Sequence, residues 1–242
     1  MTSDKKFQCF YYEIEKEDEE QYVKIVGLDE LVDEPISSPI IPAYIENLPV
    51  KAIEDCAFNY AKITSIQMPE TLVKIGHYAF FCCHQLEKIS FPNSVSFIGS
   101  DVCGICENLQ SAKWSSSAFT IPKNAFCSCH SLKTVSNIEH VKTIDSNAFR
   151  KTGLEFFKIP KNTLKISGCA FAECDDLKLI KMTHLPYIDK KAFMDSNNVK
   201  IMCGANHYVA EWTKLCNIPI YESKLDGFLN SMVYNKEREG EK

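Results

Sequence analysis

No apolar run in the sequence approaches the ~18 residues a membrane-spanning helix needs, so no membrane insertion is expected. The opening residues Met1 to Phe10 set Asp4, Lys5 and Lys6 before an apolar stretch too short for the core of a secretory leader, which gives a cytoplasmic expectation. No Asn-x-Ser/Thr acceptor for N-glycosylation occurs either. Nine glycines leave little for loops that cradle phosphates, and Gly-x-Ser-x-Gly, Gly-x-x-x-x-Gly-Lys, Gly-x-Gly-x-x-Gly and His-Glu-x-x-His are all missing. The chain therefore reads as a non-enzyme without a cofactor. An excess of positive charge is lacking too. With 27 basic against 32 acidic side chains the formal charge is −5, and without a clustered basic face no nucleic-acid partner is expected.

What is present is a globular mixture, 45% hydrophobic and 24% charged over 242 residues, with 12 cysteines. It is also periodic. Ala-Phe recurs at Ala57-Phe58, Ala79-Phe80, Ala125-Phe126, Ala148-Phe149, Ala170-Phe171 and Ala192-Phe193, with Val102-Cys103 in the one gap, at spacings of 22, 23, 23, 23, 22 and 22. Four residues before every pair stands an isoleucine: Ile53, Ile75, Ile98, Ile121, Ile144, Ile166 and Ile188. After each pair come a small residue (Ala61, Cys83, Cys106, Cys129, Thr152, Cys174, Ser196) and then an aliphatic one (Ile63, Leu86, Leu109, Leu132, Leu154, Leu177, Val199). Short alternating runs follow, as in Leu86-x-x-Ile89-x-Phe91-Pro92 and Leu154-x-x-Phe157-x-Ile159-Pro160, which predict strands with one buried face closed by proline.

A unit of this size cannot bury its own apolar side, so the units must stack until Ile, Ala, Phe and Leu form columns. The pattern Leu-x-x-Ile-x-Phe-Pro, Ile-Gly-x-x-Ala-Phe-x-x-Cys resembles the BspA-like leucine-rich repeats of bacterial and protist surface antigens, from about Ile40 to Cys203, with Ile75-Gly76-His77-Tyr78-Ala79-Phe80 the nearest match. The predicted fold is a leucine-rich repeat solenoid, mostly β with short turns or helical segments, of about seven rungs with caps at both ends. Residues 1–52 form a capping hairpin and atypical first rung, with Phe7–Ile14 and Tyr22–Val26 joined by the acidic stretch Glu15–Glu20. Residues 53–203 form the solenoid. Residues 204–242 form a terminal cap: a helix that Asn206 caps, the extended piece Ile218–Tyr221, and an amphipathic tail at Leu225, Phe228, Leu229, Met232 and Val233.

Cys83, Cys106, Cys129 and Cys174 share the small-residue column, and Cys103-Gly104-Ile105-Cys106 is a Cys-x-x-Cys. Stacked thiols could bind zinc, but Ala61, Thr152 and Ser196 fill the same column without one, so packing explains it and no metal site is assigned. Core cysteines predict 12 free thiols that react only after denaturation. Cys103 takes a phenylalanine's place and predicts a softer rung. The six histidines fall mostly at repeat turns, where solvated side chains are expected.

The strand residues facing away from the core carry the functional expectation. Lys113 lies among small polar neighbours, while later rungs put Phe156 beside Leu179 and Lys158 beside Lys181, an apolar strip next to a basic one. Lys113, Phe156, Lys158, Leu179 and Lys181 are the predicted contact residues for an acidic or amphipathic protein partner. The residues leave open an intracellular scaffold and a thiol-based metal or redox protein. The family resemblance implies adhesion, or binding of host or matrix proteins, and a cell-surface or secreted location.

Overall fold

The computed structural model describes residues 5–29, 36–203, 207–216 and 218–220. They form a β-solenoid of about eight turns with almost no helix. A hairpin opens it, with β1 (Lys5–Phe7), β2 (Phe10–Glu17) and β3 (Glu20–Leu28) antiparallel, followed by the short hairpin of β4 (Tyr44–Ile45) and β5 (Leu48–Ile53). The acidic stretch is not a loop as expected: Glu15, Lys16 and Glu17 belong to β2, and the chain reverses at Asp18-Glu19, where Asp18 adopts φ 53°.

Two strand ladders then run along the molecule. The first holds β7 (Lys88–Ser90), β9 (Ser111–Lys113), β11 (Thr134–Ser136), β13 (Phe156–Lys158), β15 (Leu179–Lys181) and β17 (Lys200–Met202). The second holds β6 (Lys74–Ile75), β8 (Phe97–Ile98), β10 (Thr120–Ile121), β12 (Thr143–Ile144), β14 (Lys165–Ile166) and β16 (Tyr187–Ile188), with each isoleucine turned inward. Pairing within the ladders is parallel. The second is interrupted between β8 and β10, where Pro122 stands at the position from which Gly99 and Asp145 donate their N–H to the preceding isoleucine carbonyl.

A third column is made by the Ala-Phe segments, which are turns and not helices. In the first of them N–H groups alternate in direction. Cys56, Phe58 and Tyr60 donate to His77, Ala79 and Phe81 of the next rung, while Ala57, Asn59 and Ala61 donate back to Glu54, Cys56 and Phe58. Every backbone donor of that turn is thereby used. Six of the seven turns use two left-handed residues, as at Cys56 and Tyr60 (φ 60° and 61°) or Asn124 and Ser128 (φ 56° and 60°), and the last uses Asp195 alone.

The phenylalanines stack face to face at 5.3 Å for Phe58–Phe80, then 5.7, 5.2 and 5.5 Å through Phe126, Phe149, Phe171 and Phe193. Phe10 of the hairpin meets Phe58 edge-on, and Trp212 of the helix α1 (His207–Leu215) meets Phe193, so both ends of the column are covered. The soft rung expected at Cys103 is filled from elsewhere. Trp114, fully buried, packs against Phe91 and Phe126, in a rung whose ladder position also carries only Ala112. Ile220 bridges to Ile201, as the extended ending predicts. Asn206, Tyr221 and the tail from Leu225 to Val233 lie outside the described residues.

The hairpin is pinned to the solenoid by Lys24, whose Nζ meets Glu13 (3.1 Å), Glu15 (2.8 Å) and Glu54. Partial burial works against the ammonium charge, but the three carboxylates more than offset it and hold Lys24 above the ordinary lysine value. The hydrogen bond from Lys24 in turn holds Glu54 below the ordinary carboxylate value. With Glu54 depressed in the folded state, its contribution is present above the unfolded value of ~4.3 and is lost as pH falls through the folded value. Lys24→Ala is expected to cost about 1–2 kcal/mol at pH 7, since the carboxylates keep access to water, and progressively less as pH falls below ~4.3 toward the folded Glu54 value. Urea denaturation at pH 7 and over that lower range checks it.

Candidate functional site

Alternation in a strand sends neighbouring side chains to opposite faces, and parallel register then lines up equal positions of successive rungs. In the first ladder Phe156 is directly opposite Leu179, and Lys158 opposite Lys181, with Phe157 and Ile180 inward between them. The two rows extend to Lys200 and Met202. Phe156 is 49% exposed, large for a phenylalanine, while Leu179 is half-buried. Lys158 and Lys181 are exposed and make no ion pair among the described residues, although Lys133 and Lys178, on the neighbouring turn, are held by Glu155. Lys113 is exposed but is not brought to this cluster: it lies on β9, aligned with Ser90 and Ser136.

Two features go beyond what the sequence predicts. Beside Phe156 opens a groove of about 770 Å³ lined from both rungs, with Val135, Ile138, Leu154 and Phe157 as its apolar wall. Its signal is a count. Leu154 follows Ala148 by six positions, where Leu86 follows Ala79 and Leu132 follows Ala125 by seven. The second feature is an exposed apolar row on the second ladder, Phe97, Phe119, Leu164 and Tyr187, each one or two residues ahead of the buried isoleucine. Lys74 and Lys142 lie over the rings of Phe97 and Phe119, which partly shields them.

The cysteine column proves to be more than a place for small residues. Cys83 donates its S–H to the Phe58 carbonyl (3.0 Å), Cys106 to that of Phe80 (3.1 Å), Cys129 to that of Cys103 (3.0 Å) and Cys174 to that of Phe149 (3.0 Å). Ser196 does the same to Phe171. At these five positions a small donor satisfies a buried carbonyl one rung back, so Ser can stand for Cys, whereas Thr152 donates to the Phe149 carbonyl of its own rung and Ala61 has no donor to offer. Burial pushes the thiols of Cys103 and Cys174 up, and Cys106 beside Cys103 adds to it, so the thiolate that metal binding or redox chemistry uses is disfavoured there. Among the described residues no three His, Cys, Asp or Glu side chains gather as a metal would require.

All 12 thiols are free, but Cys56 is exposed and Cys127, Cys169 and Cys216 are half-buried, which corrects the expectation that every thiol is hidden. Titration with an aromatic disulfide reagent should modify Cys56 at once, those three more slowly, and the remaining eight only in denaturant. Of the histidines His77, His84 and His130 are exposed, as expected at turns, whereas His140 and His184 are half-buried. His77 Nδ1 accepts from the Ser100 N–H, and the Nε2 atoms of His140 and His184 sit 2.8 and 2.7 Å from the carbonyls of Ser115 and Thr163.

Stacked parallel rungs with an inward aliphatic column and an outward variable strand face define a leucine-rich repeat protein, a class that generally mediates protein–protein contacts. The model for the BspA type leucine rich repeat region matches in six copies, over residues 51–178 and 142–211, and the chain belongs to that family. Similar solved structures include a leucine rich cell surface protein from Faecalibacterium prausnitzii, 23% identical with a TM-score of 0.56, where 74% of this chain covers 54% of that one. A leucine-rich repeat protein of T. pallidum is 18% identical at a TM-score of 0.57, covering 83% of this chain and 82% of that one. One from Eubacterium ventriosum is 20% identical at 0.58, covering 75% and 49%. At such identities the likeness concerns the fold. The chain spans about half the length of the Faecalibacterium and Eubacterium proteins. No curated protein matches it. Among the described residues no helix is long and apolar enough to cross a membrane.

Proposed function

We propose that the chain is a non-catalytic protein-binding module that uses the first ladder from β13 to β17, with Phe156, Lys158, Leu179 and Lys181 as principal contacts and Lys113 at the periphery. The observation that carries this reading is the register: exposed Phe156 beside half-buried Leu179, and next to them Lys158 beside Lys181, both lysines free of ion pairs among the described residues, on a protein of net charge −5. An apolar strip binds by burial and the lysines select an acidic or amphipathic partner, mainly by raising the association rate and rejecting basic surfaces. The second ladder offers apolar area as well: Lys74 and Lys142 lie over Phe97 and Phe119, but Leu164 and Tyr187 are open, and what this face lacks is the adjacent pair of unpaired lysines in register. Membership of the BspA type family and the likeness to a cell surface protein of Faecalibacterium support a setting at a cell surface, with adhesion to host or matrix proteins as the role.

The test is affinity capture on the immobilised chain from matrix and cell-surface protein mixtures, with the double variant Lys158→Glu/Lys181→Glu and the variant Phe119→Asp/Leu164→Asp run in parallel. Both pairs are surface changes, and circular dichroism should show the fold unaltered. At least a tenfold drop in retention by the lysine reversal alone is expected. Retention that survives the lysine reversal and is lost on the second-ladder variant would move the site to the other face.

A further inference from the structure

The first ladder is two sheets: β7-β9-β11 and β13-β15-β17. Elsewhere neighbouring rungs are tied by bonds such as Lys133 N–H to the Gln110 carbonyl and Trp114 N–H to that of Ser136, or Lys178 to Glu155 and Ile159 to Lys181. The equivalents across the gap, Glu155 N–H to the Lys133 carbonyl and Asn137 N–H to that of Lys158, are not made. Two local causes act together. Asn137 turns left-handed (φ 59°), held by its side-chain N–H to the Trp114 carbonyl, and takes the chain out of line at the end of β11. The following turn, Thr152-Gly153-Leu154, is one residue short and draws so near the previous rung that a Cβ at Gly153 would lie 2.1 Å from the His130 oxygen.

Across the same gap the turn column and second ladder stay joined, through Phe126 N–H to the Ala148 carbonyl and the pairing of Thr143 with Lys165. The solenoid is thus hinged on two sides and open on the third, and the groove of about 770 Å³ fills the opening. Its floor is Val135, Ile138 and Phe157, and its rim carries Phe156 with Lys158 and Lys161, cations without an ion-pair partner among the described residues. Glu139 is the rim carboxylate left unpaired among them, and Glu155 is taken up by Lys133 and Lys178. Strand edges left unpaired are templates for another strand, and natural proteins normally blunt them.

We propose that this opening is a strand-addition site. An extended segment of a partner protein pairs its backbone with the free edge of β13, sets one apolar side chain on the floor, and offers flanking carboxylates to Lys158 and Lys161. The inference rests on the reading that this face binds an acidic partner, and adds how it does so. The volume suits a segment of about five residues, and β13 offers about 10 Å of edge.

The probe is the peptide acetyl-Asp-Val-Phe-Val-Asp-amide, its twin N-methylated at both valines, and its twin with lysines for aspartates, followed by calorimetry and by hydrogen exchange on the full chain. The parent should bind saturably below millimolar and slow exchange at Phe156 to Lys158. N-methylation, the lysine twin, and the surface variant Lys161→Glu should each weaken it at least tenfold. No saturable binding by about 5 mM, well above the millimolar range of weak specific complexes, or equal binding of the N-methylated twin, overturns strand addition. If the Lys158→Glu/Lys181→Glu variant nevertheless loses protein capture in the preceding test, the face is right and only the mode of binding falls; if it does not, both fall.

Discussion

Trp114→Ala should cost about 3–5 kcal/mol of folding free energy, among the largest losses any single truncation in this chain can cause. Trp114 is fully buried between Phe91 and Phe126, and its indole N–H donates to the Ala118 carbonyl at 3.1 Å, so alanine removes both the packing and the partner of a buried acceptor. Volume sets the size of the effect. Rung three lacks a ring where the other rungs carry one, because Cys103 stands in the phenylalanine column, and Ala112 is also smaller than its first-ladder neighbours Ile89 and Val135. Trp114 supplies the missing volume from two positions further along the strand.

A double-mutant cycle tests that compensation directly. Cys103→Phe in the natural background overfills the rung and should cost about 1–3 kcal/mol. In the Trp114→Ala background the same change should restore stability, giving a coupling of at least about 1 kcal/mol. Additivity within about 0.5 kcal/mol, measured by urea denaturation, would show that the indole does not occupy the space Cys103 leaves.

Phe149→Ala should cost a similar amount, about 3–5 kcal/mol, and should also divide the molecule. Phe149 stacks between Phe126 and Phe171 and tilts against Phe157, and its chain leads directly into β13. Repeat proteins are held by nearest-neighbour interfaces, so the weakest interface decides where cooperativity fails. Among the described residues two interfaces carry a split ladder, the second ladder at β8/β10 and the first at β11/β13, and Phe149 supplies the aromatic contact across the latter. Phe149→Ala is therefore expected to give two unfolding transitions, resolved by hydrogen exchange into a half before Asn147 and a half after it. Phe171→Ala serves as the control, since β13-β15 and β14-β16 tie its rungs on both ladders, and it should lose stability in one transition. A single transition in both variants would remove the case for a weak joint beside the groove.

Under the proposed function that joint bears on binding as well as stability, because groove, exposed Phe156 and free Lys158 all lie at the same break. The break is made by small things. One residue is missing from the turn before Leu154, and one asparagine with a left-handed backbone stands where neighbouring rungs have Phe91, Trp114, Ile159 and Met182. Each is visible as letters, yet neither announces its effect, because the same short turn at Ala61 has a different setting beside the cap. The alignment of Phe156 with Leu179 was legible, since it needs only the strand period and the repeat length. The groove beside it was not, since it depends on hydrogen bonds that fail to form between residues about one repeat apart.

The solenoid, the inward columns of Ile, Ala, Phe and Leu, the number of rungs to within about one, and the family all follow from the order of residues alone. They rest on a local period repeated along one dimension, where each unit meets only copies of itself. Folding in three dimensions was needed to show that the thiols donate to the carbonyls of a neighbouring rung, that Trp114 fills the place left by Cys103, and that Phe10 and Trp212 close the aromatic column. It was needed equally for the opening of the first ladder between β11 and β13. Those outcomes are set by volumes and hydrogen bonds summed across neighbouring rungs, and a shift of a single residue in one turn changes them while leaving the repeat pattern intact.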